Sequence, residues 1–213
     1  MYISVIDYGS GNLKSAAKAL EAAGKNINIS QKIIVTSDPK KIKQSDKIVL
    51  PGQGSFKDCY SGINKISGLN ESLNEFVLEK KKPILGICVG MQLFAKTGYE
   101  SQETKGFGWI NAEVRKINNM KKKLKLPHMG WNEIEFKKDC FLFSNIKNKS
   151  HVYFLHSYEF MTKQKDFIVA TTNYGNSIAA SVVKENIAGI QFHPEKSQGN
   201  GLVILENFLK WRP

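Results

Sequence analysis

Short apolar runs recur through the first half of the chain, each closed by residues that turn. Tyr2-Ile3-Ser4-Val5-Ile6-Asp7, Lys32-Ile33-Ile34-Val35-Thr36, Lys47-Ile48-Val49-Leu50 and Lys82-Pro83-Ile84-Leu85 have the length and β-branched content of buried strands. Between them, Leu13 to Ala23 and Leu69 to Glu79 carry apolar positions at helical spacing, with Gly24 placed as a C-cap of the first. Asp38-Pro39 marks a further helix start: a carboxylate cap followed by a ring whose fixed φ suits the first helical position. Strand–helix alternation of this kind predicts a mostly parallel sheet covered by helices on both faces.

The second half changes period. Gly108 to Arg115 alternates like a half-buried strand, and Glu133–Phe136, Val152–His156, Phe167–Thr171 and Ile178–Val183 are β-rich with short connections. The prediction is an α/β fold with a mixed or antiparallel extension in this half. No repeat, low-complexity tract or linker divides the chain, so residues 1–213 read as one domain.

Two strand ends carry turn-forming residues. Gly9-Ser10-Gly11-Asn12 lacks the full dinucleotide-binding fingerprint and reads as a plain turn into a helix. Pro51-Gly52-Gln53-Gly54-Ser55-Phe56 has two glycines where a parallel sheet places its ligands, and their backbone N–H groups can approach a ligand closely.

The fourth run leads into Gly86-Ile87-Cys88-Val89-Gly90, and Met91-Gln92-Leu93-Phe94-Ala95 can continue as a helix. Small residues two positions to either side allow the tight corner of a nucleophile elbow, here with cysteine. A helix N-terminus beneath it favours the thiolate. A buried cysteine is by itself ordinarily structural. The elbow needs a base, and Gly189-Ile190-Gln191-Phe192-His193-Pro194-Glu195-Lys196-Ser197 supplies one. Pro194 disfavours helix at His193 and holds the stretch extended, so His193 and Glu195, two apart, project to one side. A carboxylate beside an imidazole sets its tautomer and stabilises its charged form. Of the other histidines, His151 reads as structural.

Composition adds limits. The 31 basic against 19 acidic residues give a formal charge of +12. The lysines are spread, however, through Lys40-Lys41, Lys80-Lys81-Lys82, Lys121-Lys122-Lys123 and Lys137-Lys138, and arginine occurs only at Arg115 and Arg212. That dispersal predicts solvated faces rather than a nucleic-acid footprint. No apolar run is long enough to span a membrane, and Met1-Tyr2-Ile3-Ser4 does not open a signal peptide. Cys59, Cys88 and Cys140 are an odd set without metal spacing, which suits a reducing cytoplasm. Cys59 and Cys140 are taken as packing residues, and no metal or cofactor is expected.

At this point the chain resembles the class I (triad-type) glutamine amidotransferases. The elbow Gly86-Ile87-Cys88-Val89-Gly90-Met91-Gln92 and the stretch Gln191-Phe192-His193-Pro194-Glu195-Lys196-Ser197 match the family's two signatures in order and separation. More narrowly, Asp7–Leu13, Pro127-His128-Met129-Gly130-Trp131-Asn132, Tyr153–Tyr158 and Asn207-Phe208-Leu209 are similar to the branch that serves as glutaminase subunit of imidazole glycerol phosphate synthase, in histidine biosynthesis. The resemblance covers nearly the whole chain and implies a flavodoxin-like fold. It implies that Cys88 attacks the side-chain amide of glutamine, that His193 relays protons, and that Glu195 orients His193. Val89 and the Gly52–Gln53 turn would hold the oxyanion. Gln92, Ser157, Tyr158 and Glu100 would hold substrate, and Lys196, Trp131 and Asn12 would face a partner (β/α)8-barrel cyclase that receives the ammonia. Many members have valine where this chain has Gln53; the backbone N–H serves the oxyanion, so the chemistry is expected to survive. The resemblance also implies weak glutamine hydrolysis by the isolated subunit.

Other readings stay open on sequence. A paralogue supplying ammonia for amidination of a surface sugar would carry nearly the same motifs. The amidotransferase subunit serving pyridoxal phosphate synthesis is a second, against which Pro127–Asn132 speaks. A non-catalytic basic binding protein on the same fold is a third.

Overall fold

In the computed structural model, residues 1–118 and 124–213 are described; the lysines at 121–123 lie outside them. The first half runs β1 (Tyr2–Ile6), α1 (Leu13–Asn26), β2 (Lys32–Thr36), α2 (Pro39–Gln44), β3 (Lys47–Gly52), α3 (Phe56–Lys65), α4 (Leu69–Asn74), β4 (Ile84–Cys88) and α5 (Val89–Gln92). The second half runs β5 (Ala95–Tyr99), β6 (Glu103–Lys105), β7 (Ile110–Lys116), β8 (His128–Glu133), β9 (Glu135–Phe136), β10 (His151–His156), β11 (Tyr158–Thr162), β12 (Ile168–Tyr174), β13 (Asn176–Lys184), β14 (Ile187–Ile190) and α6 (Gln198–Lys210).

The main sheet has the order β2-β1-β3-β4-β14-β13-β12-β9. Its first five strands are parallel, and β13, β12 and β9 extend it antiparallel. This is the parallel sheet with an antiparallel extension that the two hydrophobic periods predict. The strands β3, β4 and β14 at its centre are buried at every position, as parallel strands covered on both faces must be. A four-stranded sheet, β11-β7-β5-β6, and a two-stranded ribbon, β10-β8, stand apart from it. No helix among the described residues is long and apolar enough to cross a membrane.

Four local expectations need correction. Gly24 does not cap α1, which runs on to Asn26. Gln31 lies over Gly24 and donates to the Leu20 carbonyl at 2.7 Å, and the left-handed turn is taken by Asn28 at φ 54°. The helix expected over Leu69–Glu79 changes pitch: Glu75–Glu79 is a π turn, with the Lys80 N–H reaching the Glu75 carbonyl. The wider turn buries Phe76 and Val77 side by side. The fourth strand begins at Ile84 and runs through Cys88, two residues later than its apolar run begins. Finally, α5 is a single turn rather than a helix reaching Ala95. The Leu93 and Phe94 carbonyls accept from Phe107 and Ile110 N–H groups, so the backbone bonds that would continue the helix serve β-structure instead.

Elsewhere the local rules hold. Asp38 accepts from the Lys40 N–H at 2.9 Å and caps α2 ahead of Pro39. Ser55 caps α3 by accepting from the Asp58 N–H at 3.0 Å. Lys47 is the one fully buried lysine among the described residues; its Nζ donates to the Phe208 and Trp211 carbonyls and so closes the C-terminal end of α6.

Candidate active site

Three parallel strands deliver the main parts side by side. Gly52 ends β3 directly opposite Cys88 at the end of β4, and Ile190 of β14 stands opposite Ile87. The chain leaving β14 therefore carries His193 past Cys88. Ligand sites in open α/β sheets lie at such carboxyl ends.

Cys88 occupies the strand-to-helix corner with φ 55° and ψ −114°. A positive φ on a residue with a Cβ is strained and is held only where surrounding contacts enforce it. Here Gly86 and Gly90 permit the enforcement. A Cβ on Gly90 would lie 1.8 Å from the Leu50 carbonyl oxygen, and one on Gly86 would lie 2.5 Å from the Phe94 ring.

His193 Nδ1 bonds Glu195 Oε1 at 3.0 Å, with both side chains almost fully buried. The pairing is as expected, but its geometry is not that of an extended chain. Pro194–Lys196 forms a 3-10 turn, which curls Glu195 back beneath the ring. Ser197 secures the turn: its hydroxyl donates to the His193 carbonyl at 2.6 Å and accepts from the Tyr153 N–H at 3.0 Å. Burial works against a charged His193, but Cys88 and Glu195 outweigh it and hold the imidazole up at about 9. His193 Nε2, on the other edge of the ring, is buried without a hydrogen-bond partner.

Cys88 and His193 line a cleft of about 240 Å³ together with Gln53, Val89, Gln92, Glu100, Ser157 and Tyr158. Every residue expected to touch substrate thus reaches one cavity. Gly52 lies beneath it, buried. Gln92 Nε2 donates to the Tyr158 carbonyl at 3.2 Å and to Gln191 Oε1 at 3.0 Å. Glu100 Oε2 accepts from the Phe56 N–H at 2.6 Å, at the start of α3. The Pro51–Gly54 turn is held by its carbonyls: Tyr8 donates to Pro51 at 2.5 Å, and Ser10 and Cys59 both approach the Gln53 oxygen. Cys59 is therefore more than a packing residue.

The residues expected to face a partner form one surface in part. Lys196 Nζ lies 5.5 Å over the Tyr153 ring, and Trp131 meets the same ring edge-on at 6.1 Å. Trp131 is 46% exposed, and Met129 beside it is 64% exposed. Asn12 stands at the start of α1, which packs against the turn that carries Lys196. His151 is not a core histidine: its ring is exposed, 4.0 Å from Glu133.

Sequence reasoning missed Gln191, whose Nε2 lies 3.7 Å from Cys88 Sγ and whose Oε1 receives Gln92. The signal was present, since Gln191 and His193 are two apart and share a side of an extended chain. The buried pair His128 and His156 falls within two of the motifs, which assign neither ring a role.

This chain belongs to the class-I glutamine amidotransferase family, which it matches over residues 4–211. Its relatives within the family are full-length. The imidazole glycerol phosphate synthase subunit HisH of Pelagibacter ubique is 56% identical over 98% of this chain and 99% of its own. Those of Mesorhizobium japonicum and Rhodospirillum rubrum are 44% and 45% identical over all of both chains. Among solved structures, one titled as a glutamine amidotransferase is similar in fold with a TM-score of 0.70 at 17% identity, covering 97% of this chain and 98% of that one. A glutamine amidotransferase from Thermotoga maritima is similar in fold at 0.64 and 20%, covering 92% and 76%.

Proposed function

We propose that the chain is the glutaminase subunit of imidazole glycerol phosphate synthase, working in the cytoplasm as a single amidotransferase domain over residues 1–213. Cys88 attacks the side-chain amide carbon of L-glutamine, and the proton it gives up resides on His193. The tetrahedral oxyanion is met by the Val89 N–H and by the backbone of the Gly52–Gln53 turn. His193 returns its proton to the leaving nitrogen, ammonia departs, and a γ-glutamyl thioester remains. Water, deprotonated by His193, then releases glutamate. Glu195 keeps the Nδ1 edge of the ring occupied, so that Nε2 faces the chemistry.

Substrate is held by Gln92, Ser157, Tyr158 and Glu100. Both amide hydrogens of Gln92 are committed inside the protein, so it offers the cleft its Oε1 acceptor. Glu100 contributes negative charge for the α-ammonium group. Ammonia passes to a (β/α)8-barrel cyclase docked on Lys196, Trp131 and Asn12. That partner makes imidazole glycerol phosphate and aminoimidazole carboxamide ribonucleotide.

The observation that carries this reading is the convergence of Cys88 and the Glu195-paired His193 on one cleft, in a chain whose full-length relatives bear that subunit's name. The experiment is glutamate release from glutamine, with and without the cyclase barrel and its nucleotide ligand, and with Cys88→Ala as control. Strong activation that vanishes in the variant is expected. Turnover indifferent to the barrel would point to an ammonia donor for sugar amidination, and no turnover under any condition would sink the enzyme reading.

A further inference from the structure

Along the wall of the cleft, where His156 itself lines the cavity, runs a line of hydrogen bonds that the chemistry above leaves unused. Asn132 Nδ2 meets His128 Nε2 at 3.1 Å, His128 Nδ1 meets His156 Nε2 at 2.9 Å, and His156 Nδ1 meets the Tyr158 carbonyl at 2.8 Å. That carbonyl is the one that receives Gln92. Both rings are buried, and His128 is stacked between Phe154 and Tyr174 at 4.7 and 4.1 Å.

The two ends of the line order every proton in it. Asn132 Oδ1 accepts from the Glu133 N–H at 2.8 Å, and its Nδ2 also donates to the Asn173 carbonyl at 3.1 Å. The amide orientation is thereby set, and Nδ2 can only donate to His128. His128 Nε2 is therefore bare, and its one proton sits on Nδ1 and points to His156. His156 accepts at Nε2, carries its own proton on Nδ1, and donates it to Tyr158. A second proton on either ring would set two donors head to head. Burial pushes both imidazoles down to about 4, in keeping with that order.

We propose that His156 and His128 are positioning residues for the glutamine site: two neutral, Nδ1-protonated imidazoles in series fix the Tyr158 carbonyl and, through it, Gln92 and the Ser157–Tyr158 wall. This rests on the glutamine reading of the cleft. The His156 bond is the shorter of the two that hold the carbonyl. Without it the Tyr158 carbonyl loses the shorter of its two donors, and the acceptor that, with Gln191, aims the Gln92 oxygen into the cleft is held less firmly.

Two measurements test this, on the full chain and on the partner-activated enzyme. Long-range proton–nitrogen NMR of the imidazoles at neutral pH should show His128 and His156 both as the neutral Nδ1–H form, with exposed His151 as reference. His156→Leu should raise KM for glutamine about tenfold, the worth of one hydrogen bond, with kcat changed by less than about threefold. His156→Asn places an amide nitrogen where Nδ1 stood and should restore most of that KM. An Nε2–H signature on either buried ring overturns the proton order, whatever the activity. A folded His156→Leu with unchanged KM, or a His156→Asn as impaired as the leucine variant, overturns the positioning role. Absence of glutaminase activity in the unsubstituted chain would sink the reading of the cleft and the KM claim with it, and the NMR result would still decide the order of the protons.

Discussion

Replacing Gly90 with alanine tests the elbow at its tightest point. The added Cβ would lie 1.8 Å from the Leu50 carbonyl oxygen and 2.9 Å from its carbon. Both are backbone atoms of β3, which is buried along its length, so no flexible side chain can swing aside. Relief requires β3 and α5 to part by roughly 1 Å or more. Overpacking costs about 1–3 kcal/mol, and a clash against rigid backbone belongs at the upper end of that range. Cys88 is two residues away on the same turn and moves with it, and a misplacement of about 1 Å at a reacting group costs on the order of 10²-fold in rate. Gly199, in the first turn of α6, is the matched control, because a Cβ there meets nothing within 4 Å. Gly199→Ala should stabilise by roughly 0.5–1 kcal/mol through the unfolded chain. Urea unfolding of both variants measures the stability difference, and alkylation of Cys88 by iodoacetamide, read on its peptide, measures the displacement. A Gly90→Ala chain that unfolds at the parent midpoint and alkylates at the parent rate would refute the claim that this contact sets the elbow.

Three further outcomes follow from the charged and buried groups. Glu195→Gln removes the carboxylate that helps hold His193 at about 9, and glutamate release by the partner-activated enzyme should fall roughly 10²–10⁴-fold with the fold intact by circular dichroism. Between about pH 4 and 8, stability should peak near pH 6.5, the ordinary histidine value. Below it, His128 and His156, held down at about 4, face Asn132, Phe154, Tyr174, the Tyr158 carbonyl and other imidazoles among the described residues. The unfolded chain then binds more protons and stability falls as pH drops toward 4. Above it, the His193 contribution, complete below 6.5, is lost as pH rises through about 9, opposed from about pH 8 upward by Lys47, which burial holds down at about 8. Urea midpoints across this range check both limbs; a flat acid limb would count against buried neutral rings. Lys47→Met keeps the apolar stem but orphans the Phe208 and Trp211 carbonyls, and should cost about 2 kcal/mol or more in urea unfolding, whereas a loss below about 0.5 kcal/mol would argue that water serves those carbonyls equally well.

What could be read from the sequence was what local rules decide. The parallel core was visible because β3 and β4 are continuous apolar runs with no polar face to confuse the period. Cys88 was visible because only small neighbours tolerate the corner, and the pairing of His193 with Glu195 because proline sits between them. The failures have physical causes as well. Gly24 looked like a cap because helix-end glycines usually are, but a distant glutamine covers it and Asn28 turns the chain. The helix after the elbow stopped at one turn because carbonyls of Leu93 and Phe94 were claimed by residues 107 and 110, which no window around the elbow contains.

The division between legible and illegible parts follows the division of labour in the site. Bond-breaking needs a strained corner and a charge-supported ring, and each is built within a few consecutive residues. Under the proposed function, recognition needs a wall, and the wall is made of segments that meet only in the folded chain. Tyr158 begins a strand that pairs with β7, and His156 ends a ribbon that pairs with β8. Gln92 in α5 reaches that junction through a backbone carbonyl rather than through any side chain that a motif could record. A carbonyl imposes no residue type at its own position; it constrains only its donors. That is why the bonds joining Tyr158, Gln92 and His156 are absent from the motifs that contain these residues, and why, on the positioning proposal, substitutions at His156 should register in KM before they register in turnover.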